Sequence, residues 1–108
     1  MIFTWLVGAV IAGMLIGAFF DEICNWAKGV FERLSSSVKK GWTYLKRVPG
    51  GVKAFIRYVK NGTIYESGED HEVSWEDVVA AYNRGEIDDD TYEELEKNHL
   101  KKVGELNR

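Results

Sequence analysis

The chain has 108 residues, with 14 Lys/Arg, 17 Asp/Glu, a formal net charge of −3 and one cysteine. That length holds one small domain, and Cys24 alone excludes an intrachain disulfide. His71 and His99 stand far apart, without cysteine or suitably spaced acids, so no metal motif is recognisable and no cofactor is expected. The charge is unevenly placed: residues 21–60 hold nine Lys/Arg against three acids, and residues 61–108 hold five against fourteen.

The first predicted element is MIFTWLVGAVIAGMLIGAFF, residues 1–20, in which Thr4 is the one polar side chain and no residue is charged. At a helical rise, twenty apolar residues span ~30 Å, the thickness of a bilayer's hydrocarbon core. The expectation is one transmembrane helix. No basic residue precedes the run and Phe19-Phe20-Asp21-Glu22 offers no small-residue cleavage site, so the segment does not read as a cleaved signal peptide. The basic flank after the span predicts a single-pass inner-membrane protein, N-terminus outside and C-terminus cytoplasmic. Trp5, Trp26, Lys28, Arg33, Lys39 and Lys40 are then the membrane-interface residues, with anionic lipid headgroups facing the cations. Ala9, Gly13 and Gly17 form a small-residue stripe that predicts helix–helix packing and a homo-oligomer.

From Ile23 the apolar residues Ile23, Trp26, Ala27, Val30, Phe31, Leu34, Val38, Trp42 and Leu45 recur with the three-to-four-residue spacing of one helical face, with Trp26–Ala27 and Val30–Phe31 as adjacent pairs. This predicts a basic amphipathic juxtamembrane helix over residues 21–48, ended by Pro49-Gly50-Gly51. Residues 52–67 read as a β-hairpin about Asn61-Gly62, pairing Val59 with Ile64, Tyr58 with Tyr65 and Arg57 with Glu66. Its free edge is a possible acceptor for a further strand. Residues 74–104 read as an acidic helical hairpin: Ser74 caps the first helix, Gly85 closes it, and Asp88-Asp89-Asp90 opens the second. His99 and Val103 are placed on the second helix's inner face, and Lys101 and Lys102 near its end. Trp75, Tyr82, Ile87 and Tyr92 are the candidate partner-binding residues.

Gly85-Glu86-Ile87-Asp88-Asp89-Asp90-Thr91-Tyr92-Glu93 resembles the core of the short C-terminal helical-hairpin domains called SHOCT, over residues 75–100. Gly85, Ile87, Asp88 as cap and Tyr92 fit that pattern, whereas Thr91 and Glu96 depart from it. The resemblance implies an interaction or oligomerisation tail of bacterial membrane proteins.

The residues offer no nucleophile–base pair and no phosphate loop, so an enzyme is not expected. The Asp triplet lacks the alternating oxygens of a calcium loop. The stretch Lys39–Lys60 interleaves cations with Trp42, Tyr44, Phe55 and Tyr58, which nucleic acid would use, but membrane proximity accounts for it more simply. The expected fold is a mainly α membrane protein. Its expected function is a self-associating single-pass anchor or adaptor that presents a cytosolic tail to a protein partner. The alternative is a membrane-perturbing, holin-like or pore-forming protein.

Overall fold

In Trp42-Thr43-Tyr44-Leu45 every second residue is buried, and this alternation rather than a helical stripe shapes the middle of the chain. The computed structural model describes residues 2–6 and 17–108. Its elements in chain order are β1 (Ile2–Trp5), α1 (Ala18–Glu32), β2 (Lys40–Val48), β3 (Gly51–Lys60), β4 (Thr63–Ser74), α2 (Trp75–Asn83), α3 (Asp89–Glu96) and β5 (Lys101–Asn107). The strands form one antiparallel sheet in the order β1-β5-β2-β3-β4.

Two tight turns build the centre of the sheet. Pro49-Gly50 joins β2 to β3, with Val48 opposite Gly51 and Gly50 at φ 82°, the Pro-then-Gly chemistry of a type II turn. Asn61 and Gly62, at φ 54° and 76°, join β3 to β4. Both central residues at positive φ match the right-handed twist of the flanking strands. The pairs are Val59 with Ile64, Tyr58 with Tyr65 and Arg57 with Glu66, as the turn predicts.

The three helices pack on one face of the sheet. Leu45 of β2, Val52 and Ala54 of β3, Val73 of β4 and Val103 of β5 meet Phe19 and Ile23 of α1, Val78 and Ala81 of α2, Ile87, and Leu95 of α3. A second cluster joins Ala27, Val30 and Phe31 of α1 to Val38, Ile56 and Leu106. Burying each such aliphatic or aromatic side chain contributes ~1.5–3 kcal/mol, so the two layers are held mainly by this interface.

Helix α1 is capped from elsewhere in the chain. Its N-cap is Gly17, which has no side chain to offer, and no basic residue lies in its last turn. Glu86 Oε1 instead accepts from the Phe19 amide at 3.1 Å. At the other end Arg108 donates to the carbonyls of Phe31, Leu34, Ser35 and Val38. An anion at the N-terminus and a cation at the C-terminus both complement the helix dipole.

These elements correct the mainly α membrane fold. Among the described residues no helix is long and apolar enough to cross a membrane. Helix α1 has 15 residues, about 22 Å at 1.5 Å each, and carries Asp21, Glu22, Lys28 and Glu32. Ile2–Trp5 is an edge strand: Ile2 faces Asn107 and Trp5 faces Gly104 on β5. The ring of Trp5 also meets that of Phe19 edge-on at 6.2 Å. The expected transmembrane helix over residues 1–20, the single-pass topology and the inner-membrane placement are therefore overturned. Residues 7–16 of that run lie outside the described residues. The predicted helix over residues 21–48 ends at Glu32, before the serine run, and its second half is β2. The predicted helical hairpin over residues 74–104 ends at Glu96; Asn98, at φ 62°, turns the chain and Lys101–Asn107 becomes a strand between β1 and β2.

Candidate functional site

With the helices on one face, the other face of the sheet is left uncovered. Alternation places Lys40, Trp42, Tyr44 and Lys46 of β2 there, beside Lys53, Phe55 and Arg57 of β3. The β2–β3 register puts Trp42 opposite Arg57, Tyr44 opposite Phe55 and Lys46 opposite Lys53. On the flanks, β5 adds Lys102 opposite Tyr44 and Glu105 opposite Trp42, and β4 adds Glu66, Asp70 and Glu72.

Rings and cations interlock across this face. Tyr44 and Phe55 stack at 5.5 Å with planes 16° apart. The Arg57 guanidinium lies 5.0 Å from the Tyr44 ring and 5.3 Å from that of Phe55. Lys102 Nζ sits 5.3 Å from Trp42 and 5.9 Å from Tyr44. Lys40 lies over Trp42 at 5.6 Å and Lys53 over Phe55 at 5.9 Å. Each such contact is worth ~0.5–1 kcal/mol at an exposed site, enough to bias the cationic heads toward ring level.

The charges are sorted by strand. On the uncovered face, β2, β3 and β5 carry five cations (Lys40, Lys46, Lys53, Arg57, Lys102) and one acid, Glu105, while β4 carries Glu66, Asp70 and Glu72. Lys40 pairs with Glu105 at 2.8 Å, and hydrogen bonding to Lys40 holds the Glu105 carboxyl below its ordinary pKa. Arg57–Glu66 at 3.5 Å and Lys53–Asp70 at 3.7 Å are looser. Lys46 and Lys102 form no ion pair among the described residues. Where the α3–β5 loop rises beside the face, a groove of ≈ 480 Å³ has Phe55 in its lining with Lys46, Lys53, Arg57, Glu66, Asp70, Asn98 and Leu100.

The residues singled out from sequence are distributed differently. Trp5 packs on the core, as does half-buried Trp26, which touches both clusters and lies 5.6 Å from the His71 ring. Lys28 is on α1, Arg33 pairs with Glu69, and the Lys39 carbonyl accepts from the Arg108 amide. Lys40 belongs to the uncovered face, so these six residues are spread over β1, α1, the segment that follows it and β2. Gly17, at φ 107°, lies against the Glu86 carboxylate, which fills the space a Cβ would occupy. Ala9 and Gly13 fall outside the described residues. Trp75, Tyr82 and Tyr92 are brought together: Tyr82 stacks on Tyr92 at 4.0 Å, Tyr92 on Trp75 at 5.5 Å, and the Arg47 guanidinium covers Trp75 at 3.6 Å. Ile87 is in the core.

Sequence reasoning noted Trp42, Tyr44 and Phe55 but attached them to a membrane. The period-two alternation was the signal that they share a sheet face. Lys102 and Leu100 were missed because residues 99–104 were placed on a helix. Chemically the face offers π surfaces, cations and carboxylates. Cys24 is buried, and that burial pushes its thiol pKa up; no group of three or more His, Cys, Asp or Glu able to hold a metal occurs among the described residues. No family model, curated protein or solved structure matches the chain, so the resemblance of residues 75–100 to SHOCT tails rests on the residues quoted for it.

Proposed function

We propose that the protein is a binding module rather than a catalyst, and that it takes single-stranded nucleic acid across the uncovered face of its sheet. One observation carries this reading: half-buried Trp42 and Tyr44, with Phe55 only 8 % exposed beside them, are threaded with Lys40, Lys46, Lys53, Arg57 and Lys102. A nucleic acid strand alternates planar rings with anions, and this face alternates π surfaces with cations. Residues two apart on a strand are ~7 Å apart, twice the 3.4 Å rise per nucleotide of a stacked strand. Bases that use both Trp42 and Tyr44 must be unstacked, which a duplex forbids. The acids of β4 keep the phosphates on the β5–β2–β3 side.

Stacking contributes ~1–3 kcal/mol per base. With about three phosphates neutralised, log K should fall with log salt at a slope of about −2. The test is fluorescence anisotropy of a labelled oligothymidylate, against a duplex of equal length. Trp42→Ala or Tyr44→Ala should each weaken single-strand binding by about tenfold, the equivalent of ~1.4 kcal/mol. Equal affinity for the duplex, or no loss in either variant, refutes it.

A second reading has its own support. Ile64 and Tyr65 at the β3–β4 tip are 63 % and 46 % exposed, an apolar pair suited to a second copy of this chain. Sedimentation of the wild type beside Ile64→Ser/Tyr65→Ser tests it: a dimer lost in the variant supports self-association, and a wild-type monomer removes it.

A further inference from the structure

We infer that the groove beside Phe55 is a base-selective subsite, and that the base it selects is guanine. The inference rests on the nucleic-acid reading of the same face. Carboxylates in a surface that collects phosphates oppose binding unless the ligand brings donors to them. Two such carboxylates, Glu66 and Asp70, line this groove among the cations Lys46, Lys53 and Arg57.

Neither carboxylate is used up by its neighbour. Lys53 Nζ is 3.7 Å from Asp70 Oδ2, beyond hydrogen-bonding distance, and Arg57 Nε is 3.5 Å from Glu66 Oε1, at its outer limit. Asp70 Oδ1 and Glu66 Oε2 take part in no hydrogen bond or ion pair among the described residues. A carboxylate accepts through both oxygens, so it suits two parallel donors. Guanine presents N1–H and the N2 amino group side by side. Adenine and cytosine set a ring-nitrogen acceptor next to their amino group, and thymine sets carbonyls on both sides of its single N–H. Each of those arrangements turns a lone pair toward the carboxylate.

The rest of the groove fits a nucleotide. Its ≈ 480 Å³ lies within the size range of small-ligand sites. Leu100, 41 % exposed on the rim, offers apolar cover to a ring, and Lys46, without an ion pair among the described residues, is placed for the adjoining phosphate. A site built to hydrogen-bond a ligand N–H rejects analogues lacking it, because its acceptors are then left unpaired.

The experiment is anisotropy on the full chain with labelled oligothymidylates carrying thymine, adenine, hypoxanthine or guanine at one central position. Hypoxanthine keeps N1–H and lacks the N2 amino group. Guanine should bind about tenfold tighter than thymine or adenine, with hypoxanthine between. Asp70→Asn or Glu66→Gln should collapse the guanine-to-thymine ratio toward one, in a protein whose melting temperature shows it folded. Equal affinity for all four central bases, with oligothymidylate still bound, overturns the guanine subsite and leaves the single-strand reading in place. A ratio that survives both substitutions also overturns it. If no oligonucleotide binds, both readings fall.

Discussion

Glu86 should be among the most sensitive surface-adjacent positions for stability. Its side chain is 1 % exposed, although it lies in the short connection between α2 and α3. It accepts from the Phe19 amide, pairs with Arg84 and stands where Gly17 leaves room for it. Removal to Ala takes away the N-terminal cap of α1, worth ~1 kcal/mol, and the dipole interaction, worth ~0.5–1 kcal/mol. It also leaves a void beside Phe19, which brings the total to about 2–3 kcal/mol. Glu86→Gln keeps the acceptor and the volume but loses the charge, so it should cost about 1 kcal/mol. For a domain of this size each kcal/mol lowers the melting temperature by ~4–8 °C. Thermal unfolding followed by circular dichroism should thus place Glu86→Ala at least ~8 °C below wild type, with Glu86→Gln between them. An alanine variant melting within about 2 °C of wild type would falsify the claim that this carboxylate caps α1.

Further outcomes follow from the same structure. Arg108→Ala removes the guanidinium from four carbonyls and from the face of Phe31, 4.8 Å away; denaturant titration should show a loss of about 2 kcal/mol. Gly62→Ala places a Cβ at φ 76° in an otherwise open turn, which should cost about 1 kcal/mol by the same titration. Glu105 has its carboxyl pKa lowered by Lys40 in the folded chain, so its contribution is present above the unfolded carboxylate pKa and is lost as pH falls through the folded value. The stability difference between wild type and Lys40→Met should therefore shrink from about pH 6 to about pH 3. A difference that grows with acidification contradicts that assignment.

What could be read from sequence was what local chemistry decides. Asn61-Gly62 sets a register by its own dihedrals, and the register follows residue by residue. Ser74 Oγ accepts from the Asp77 amide and Asp88 Oδ1 from the Thr91 amide, both within three residues. Non-local pairing was not legible. Val38, Trp42 and Leu45 satisfy a helical spacing, yet Val38 precedes β2, and Trp42 and Leu45 face opposite sides of the sheet. Only the partners β3 and β5 decide between helix and strand, and β5 lies some sixty residues further on. Ile2–Trp5 reads as part of an apolar span until its partner, Gly104–Asn107, is in place. The caps of α1 were hidden for the same reason, because Glu86 and Arg108 are remote in sequence from the ends they serve. The binding face was half legible: its aromatics and cations were visible as a composition, but their sharing of one surface required the sheet.

The most direct measurement is a heteronuclear NMR titration of the labelled chain with a short oligouridylate. The account predicts shifts in the Trp42 indole N–H and in the amides of β2, β3 and β5 around Tyr44, Phe55 and Lys102, with the α1 and α2 amides unmoved. Shifts centred on the helical layer, or a Trp42 indole signal that stays in place at saturating ligand, would contradict it.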